Sequence, residues 1–425
     1  MRTTETRPAA SARTTAAAVD PARWPDVARP PKASAGRTAI TAAVLRRSLE
    51  RVPLRVRFAD GSWVGRGGPV LEVHDAQAFH GRIGSRGAVG FGESYMAGEW
   101  DAADLVAVLT VLAGTTDRLV PAPLRPLRAL WAPRRPASER NTPDGVRNTT
   151  GRHHDLPNDL FALFLDDTLT CSAALFRGFP ATWDLLAAAQ HRKIDRLLDL
   201  AGVEEGTRVL EIGTGWGELA IRAAARGARV TSITLSGERR DLALRRIAAA
   251  GLGDRVSVEL RDHREARGTY DAVVSVETIE AVGAEFRPHC FRTLEARLAP
   301  GGRAVVQAVT MSHRRTPATR DAFGWIQNYV LTGGLPPSVE AVAATVRDHT
   351  RLRVARRDTL GAHYAETLRL WRGRFADRAD EVEALGFDET FRRMWTFYLA
   401  CCEVGFRSGR LDVQQYLFTK ENHAR

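Results

Sequence analysis

Three glycines alternate with other residues in "VLEIGTGWGELAIRAAARGARVTSITLS", residues 209–236. They are Gly213, Gly215 and Gly217, and Glu211 stands two residues before the first. A turn this poor in side chains lets a nucleotide-like ligand lie against bare backbone. A carboxylate beside it favours a ligand that carries positive charge. Further along, "SVETIEAVG" (275–283) places Glu277 and Glu280 directly after a strand. Two carboxylates facing a cofactor pocket suit a cationic intermediate better than an anionic backbone.

The elements that must position these residues alternate in type. "RVLEIG" reads as a strand and "WGELAIRAAARG" as a helix closed by glycine. "ARVTSITL" is a strand, and "GERRDLALRRIAAAG" is a helix with apolar residues at helical spacing. "RVSVEL", "YDAVVSVE" and "GGRAVVQAVT" are further strands, the last two separated by a helix around "RPHCFRTLEARL". Such alternation calls for an α/β fold, a Rossmann-like doubly wound parallel sheet with helices on both faces. Long helical segments over about 363–408 and a final strand, "LDVQQYLFTK", complete it.

Upstream, residues 1–36 are biased to Ala, Thr, Pro and Arg and read as a disordered tail. Residues 37–131 form a smaller N-terminal α/β domain. In it, "VPLRVRFADGSW" is an alternating strand running into an Asp-Gly turn, and "AVGFGESYMAGEWDAADLVAVLTVLAG" is a Gly-rich loop entering an apolar helix. Residues 132–151, rich in Pro, Arg and polar residues, read as a linker to a catalytic domain at 152–425.

The composition, 44% hydrophobic and 26% charged, is that of an ordinary globular protein. No apolar run is long enough to cross a bilayer, and the N-terminus lacks the apolar core of a secretory signal. The four cysteines, Cys171, Cys290, Cys401 and Cys402, form no CxxC pair, so a reducing cytoplasm is expected. His153 and His154 have no partner at ligand spacing, and no metal is expected. The net charge of +11 is carried by arginine, with lysine only at positions 32, 193 and 420. Nucleic acid, an anionic membrane face or an acidic small substrate would each suit such a surface.

A dinucleotide site uses GxGxxG and an acid at the end of the second strand. Here the spacing is GxGxG, and the second strand ends in Thr234 and Ser236. The E-x-G-x-G-x-G pattern instead resembles the cofactor loop of S-adenosylmethionine methyltransferases, whose ligand carries an ammonium. Methylation of a base amino group usually needs an N/D-P-P-Y type loop after the fourth strand. That place reads "SVETIEAVG", so nucleic acid is not the expected acceptor.

"EIGTGWGELA", "TLS", "ETIEAVG", "GFGESYMAGEW" and "HYAETLRLW" together resemble the cyclopropane-fatty-acyl-phospholipid synthases and mycolic acid methyltransferases. The resemblance runs from about residue 40 to the C-terminus. It is greatest for the actinobacterial branch that methylates oleoyl chains towards tuberculostearic (10-methylstearic) acid. It implies methyl transfer from S-adenosylmethionine to the double bond of an oleoyl phospholipid. Proton loss with ring closure would give a cyclopropane. Proton loss as a methylene forms gives the expected 10-methylene product, which a flavin-dependent reductase would convert to a 10-methyl chain.

The resemblance also implies roles. Glu211, Gly213, Gly215 and Gly217 cradle the cofactor with Thr234, Ser236, Ser172, Asp262 and His263. A bicarbonate ion serves the family as base, and its holders map to Glu280, Tyr364 and Gln307, the last at the family's histidine. The family's "YSCA" reads "CSAA", so Cys171 stands for tyrosine and Ala173 for cysteine. Its "HYDxGN" reads "HHDLPN", with His154 for tyrosine and Pro157 for glycine. Direct proton removal by Glu280 without bicarbonate is the alternative.

The run "AFGWIQNYVLTGGLPPS" carries Phe323, Trp325, Ile326, Tyr329 and Val330, as a plain core helix or as an acyl-channel lining. The basic excess fits peripheral docking at an anionic membrane, and a homo-oligomer is compatible. Three rivals stay open: a cyclopropane synthase, a methyltransferase for a small amine or sterol-like acceptor, and a non-catalytic subunit binding lipid or cofactor.

Overall fold

The computed structural model describes residues 19–30, 34–119, 156–313, 324–331 and 334–420. The expected linker at 132–151, His153, His154 and Phe323 lie outside these. The first sheet has four short strands, β1 (Arg55–Phe58), β2 (Trp63–Val64), β3 (Val70–Val73) and β4 (Trp100–Asp101), in the order β2-β1-β3-β4. The Asp-Gly turn is there: Gly61, at φ 85°, closes the antiparallel β1–β2 hairpin.

The second sheet comprises β5 (Arg208–Ile212), β6 (Arg229–Thr234), β7 (Val256–Leu260), β8 (Tyr270–Val276), β9 (Leu298–Met311), β10 (Leu352–Thr359) and β11 (Leu411–Lys420). Their order is β10-β11-β9-β8-β5-β6-β7. The strands β7, β6, β5, β8 and β9 run parallel, and β11 and β10 add antiparallel at one edge. Both faces are covered, which is why these strands read as near-continuous apolar runs. Val209, Val274 and Val305 pack with helices Leu186–Ala201, Glu218–Ala225 and Gly237–Ala249. Their neighbours Leu210, Val273 and Val306 face Arg287–Arg297 and Val339–His349 on the other side. The strand order reverses between β5 and β8. A crevice therefore opens at their carboxyl ends, where the glycine turn and Glu277 both lie.

Three expectations change. "AVGFGESYM" is a helix, Ala88–Met96, rather than a loop. Its glycines serve close approach: a Cβ at Gly90 would lie 2.2 Å from the Arg82 carbonyl oxygen, and one at Gly92 would lie 2.4 Å from the Trp325 ring. Within the expected disordered tail, Pro25–Ala28 is helical, and Trp24 Nε1 donates to Asp388 Oδ2 at 2.8 Å. The small N-terminal sheet also has no core of its own. Leu54, Val56 and Trp100 belong to one apolar cluster with Phe391, Trp395 and Phe397 of helix Glu389–Arg407. Trp325 and Tyr329, on the short helix Trp325–Tyr329, join this junction. The Trp325 ring packs edge-on against Phe397, and the Tyr329 hydroxyl donates to the buried Glu93.

Candidate active site

The turn after β5 holds Gly213, Gly215 and Gly217 at φ 95°, 54° and 92°, conformations that side chains resist. Gly213 is held most tightly, since a Cβ there would come within 2.5 Å of Thr278 Cγ2. The turn borders a cavity of about 310 Å³. Glu211, Gly213, Gly215, Thr234, Ser236, Ser172, Asp262 and His263 all line it, as expected from the sequence. Gly217 does not: it faces Ala243, 3.1 Å from where a Cβ would stand, and so serves helix packing. Trp216, Arg239 and Lys193 complete the wall.

Glu211 is the cavity's buried acid. Its Oε2 accepts from Ser232 Oγ at 2.6 Å, and burial pushes its pKa up to about 8. A carboxyl held neutral by desolvation gains an incentive to ionise when a cation enters. With the open glycine cradle, this fits S-adenosylmethionine, an ammonium- and sulfonium-bearing ligand. The sign of the linkage is checkable. Below pH 8 the ligand-free site retains a proton that the cation displaces, so binding should tighten as pH rises from 6 to 8. Titration calorimetry at pH 7 in buffers of differing ionisation enthalpy should register proton release approaching one per site.

Opposite the cradle, the residues expected to organise the base converge on Glu277 rather than Glu280. Glu277 is one of two non-glycine residues at positive φ among the described residues, at 51°. This turns its carboxylate back across the end of β9. There Glu277 Oε1 accepts from Gln307 Nε2 at 2.8 Å and from the Ala173 N–H at 3.0 Å. The Tyr364 hydroxyl adds a further hydrogen bond to the same carboxylate. Burial raises the Glu277 pKa and these donors oppose the rise. Gln307 is itself fixed, its Oε1 accepting from Gln415 Nε2 at 2.9 Å. The Tyr364 ring rests on Phe406, with centroids 4.7 Å apart.

Glu280 has a different part. It lies on the short helix Ile279–Val282, accepts from the Val309 N–H, and leaves Oε2 buried without a partner. It does not line the cavity, and burial pushes its pKa up to about 8. The donor set expected around bicarbonate is therefore taken by a carboxylate of the chain itself. A second anion there would meet Glu277, so the residues present do not fit that group.

The "CSAA" segment is strapped over the cavity from below. Gln190 Nε2 donates to the carbonyls of Thr170 and Ser172 at 3.1 and 2.9 Å, and Lys193 Nζ donates to Ser172 Oγ at 2.7 Å. Lys193 is 1% exposed, and burial depresses its pKa to about 8. Sequence reasoning gave it no role. The signal was present all the same: a lone lysine among arginines, on the apolar side of a helix. Arg239 lies over the Trp216 ring, 4.6 Å from its centroid, and was also passed over. Among the described residues no group of His, Cys, Asp and Glu is placed to hold a metal ion, and no helix is long and apolar enough to cross a membrane.

Residues 143–416 match the family model described as mycolic acid cyclopropane synthetase. The chain belongs to this family. It is 51% identical over 97% of its length to the tuberculostearic acid methyltransferase UfaA1 of Mycobacterium tuberculosis, covering 98% of that protein. It is 30% identical over 80% of its length to the cyclopropane-fatty-acyl-phospholipid synthase of Escherichia coli K12, covering 86% of it. Among solved structures of the family, the mycolic acid cyclopropane synthase CmaA1 in complex with SAH and CTAB superposes with a TM-score of 0.59 at 28% identity. That match covers 64% of this chain and 98% of the other.

Proposed function

We propose that this protein transfers a methyl group from S-adenosylmethionine to the double bond of an oleoyl-type phospholipid chain and releases a 10-methylene product. The observation that carries the reading is Glu277: a half-buried carboxylate, gathered by three donors, on the wall of the cavity that the glycine turn opens. Support comes from the 51%-identical relative named for tuberculostearic acid and from a relative solved in complex with SAH and CTAB.

The bound cofactor supplies an electrophilic methyl carbon. An isolated alkene is a weak nucleophile, so it must be held in line within a dry pocket. The protein's residues then govern a carbocation on the acyl chain. The Glu277 carboxylate, on the cavity wall, stabilises positive charge at this place. After methylation at one alkene carbon, a hydride shift moves the cation to the carbon bearing the new methyl. Loss of a proton from that methyl to a Glu277 oxygen leaves a methylene branch on the acyl chain. Gln307, the Ala173 N–H and Tyr364 keep the carboxylate aimed and ionised in between. A flavin-dependent reductase acting afterwards would deliver the 10-methyl chain, and peripheral contact with an anionic membrane would present the lipid.

Incubation with S-adenosylmethionine and dioleoyl phospholipid should add the mass of one CH2 to the released fatty acid. Proton NMR should show vinylidene signals. High-field cyclopropyl signals would instead assign the ring-closing outcome, and no mass gain would overturn the reading.

A further inference from the structure

Six arginines fall within residues 46–66, on the first two strands of the N-terminal sheet and the helix that leads into them. Arg46 and Arg47 close the helix Ala35–Leu49, Arg51 follows in the turn, Arg55 and Arg57 lie on β1, and Arg66 follows β2. All six are exposed. Two close backbone contacts draw the last of them in: Cβ atoms at Gly65 and Gly68 would lie 1.9 and 2.0 Å from the carbonyl oxygens of Leu54 and Pro53. Only glycine lets the 65–68 loop lie there, so Arg66 is carried on a loop held against the backbone just before Arg55. Three acids stand nearby. Glu72 is paired with Arg57 at 2.6 Å, Asp60 caps its own turn at the Ser62 N–H, and Glu50 is exposed. Among the described residues, Arg46, Arg47, Arg51, Arg55 and Arg66 have no carboxylate partner.

On the same hairpin stands Trp63, 49% exposed on the edge strand and paired with Arg57. The Arg55 and Arg57 guanidiniums lie 5.7 and 5.8 Å from its ring centroid. Val56 and Val64 take the buried face of the same hairpin, so Trp63 and the two arginines share the outward one. The strand alternation thus gives an indole to solvent. An exposed indole flanked by two guanidiniums, that of Arg57 paired with Glu72 and that of Arg55 without a carboxylate, matches the boundary where lipid phosphates overlie acyl chains.

We propose that this region, Trp63 with Arg46, Arg47, Arg51, Arg55 and Arg66, docks the protein on an anionic phospholipid bilayer. The proposal rests on the lipid-modifying reading above and adds the surface that meets the membrane. A second copy of the chain is disfavoured there, because a two-fold contact would set the cluster against itself. A nucleic acid would use the charge but has no need of an isolated edge-strand indole.

The test is sedimentation of the full chain with vesicles of phosphatidylcholine alone or mixed with phosphatidylglycerol. Binding should require phosphatidylglycerol and weaken with salt. Replacing Arg46, Arg51, Arg55 and Arg66 together by glutamine should reduce vesicle affinity on the order of a hundredfold or more. Trp63→Ala should reduce it several-fold at unchanged salt dependence. Both variants should keep wild-type methylation of detergent-dispersed lipid, which reports folding and the active site. Vesicle binding that is absent in the wild type, or unaffected in the variants, overturns the proposal. So does a loss confined to duplex DNA binding or to self-association. Failure of the wild type to methylate detergent-dispersed lipid would instead overturn the functional reading and leave the vesicle result to stand alone.

Discussion

Glu277→Gln is expected to lower turnover by about 10²–10⁴-fold, the usual contribution of a positioned general base. Glutamine keeps the size of the side chain and can still accept from Ala173 and Gln307, so cofactor affinity should stay within a few-fold. Wild-type turnover should climb with pH as Glu277 ionises, over a range set above that of ordinary carboxylates by burial. In the variant that limb should vanish. Glu280→Gln provides the contrast. With its pKa up at about 8, Glu280 is mostly protonated at neutral pH, and glutamine resembles that form. Its amide oxygen can still accept from the Val309 N–H. Turnover should fall no more than several-fold. Single-turnover assays with saturating S-adenosylmethionine would decide, and the reverse ranking would return the base to Glu280.

Trp100→Ala should destabilise the whole chain by about 3–5 kcal/mol, the range for emptying a large buried aromatic site. Trp100 is fully buried, stacks on Phe91 at 4.6 Å and meets Phe397 edge-on at 6.3 Å. Its Nε1 donates to Ser94 Oγ at 3.0 Å. The cavity would open where the small sheet meets helix Glu389–Arg407, inside one apolar cluster. Calorimetry should therefore show a single transition that moves as a unit. Two transitions, with only one displaced, would mean that the N-terminal part unfolds separately.

The central parallel strands were legible because both their faces are buried and their middle residues are mostly apolar, as in "RVLEI" and "YDAVVSV". β10 was not. Its "LRVARRDT" buries only Leu352, and the strand exists because β11 offers an edge to pair with. The glycine turn bordering the cavity was legible because glycine spacing is a backbone requirement written in residue types. Which of two neighbouring acids the donors would gather on was not. Glu277 and Glu280 both follow β8, and what separates them is a left-handed backbone at Glu277, disfavoured by about 1–2 kcal/mol for an ordinary residue. Sequence does not show which residue tertiary contacts will force into that region. The shared core was hidden for a similar reason: Trp100 and Phe397 lie almost three hundred positions apart, and neither pattern names its partner.

The strained turn at Glu277 bears on where such a protein can work. A carboxylate tethered to the backbone is present at every catalytic cycle and cannot diffuse away. On the role proposed for it, the chain's output is indifferent to how much dissolved carbon dioxide its surroundings hold, and lipid made in well-aerated or carbon-dioxide-poor conditions is modified at the same pace.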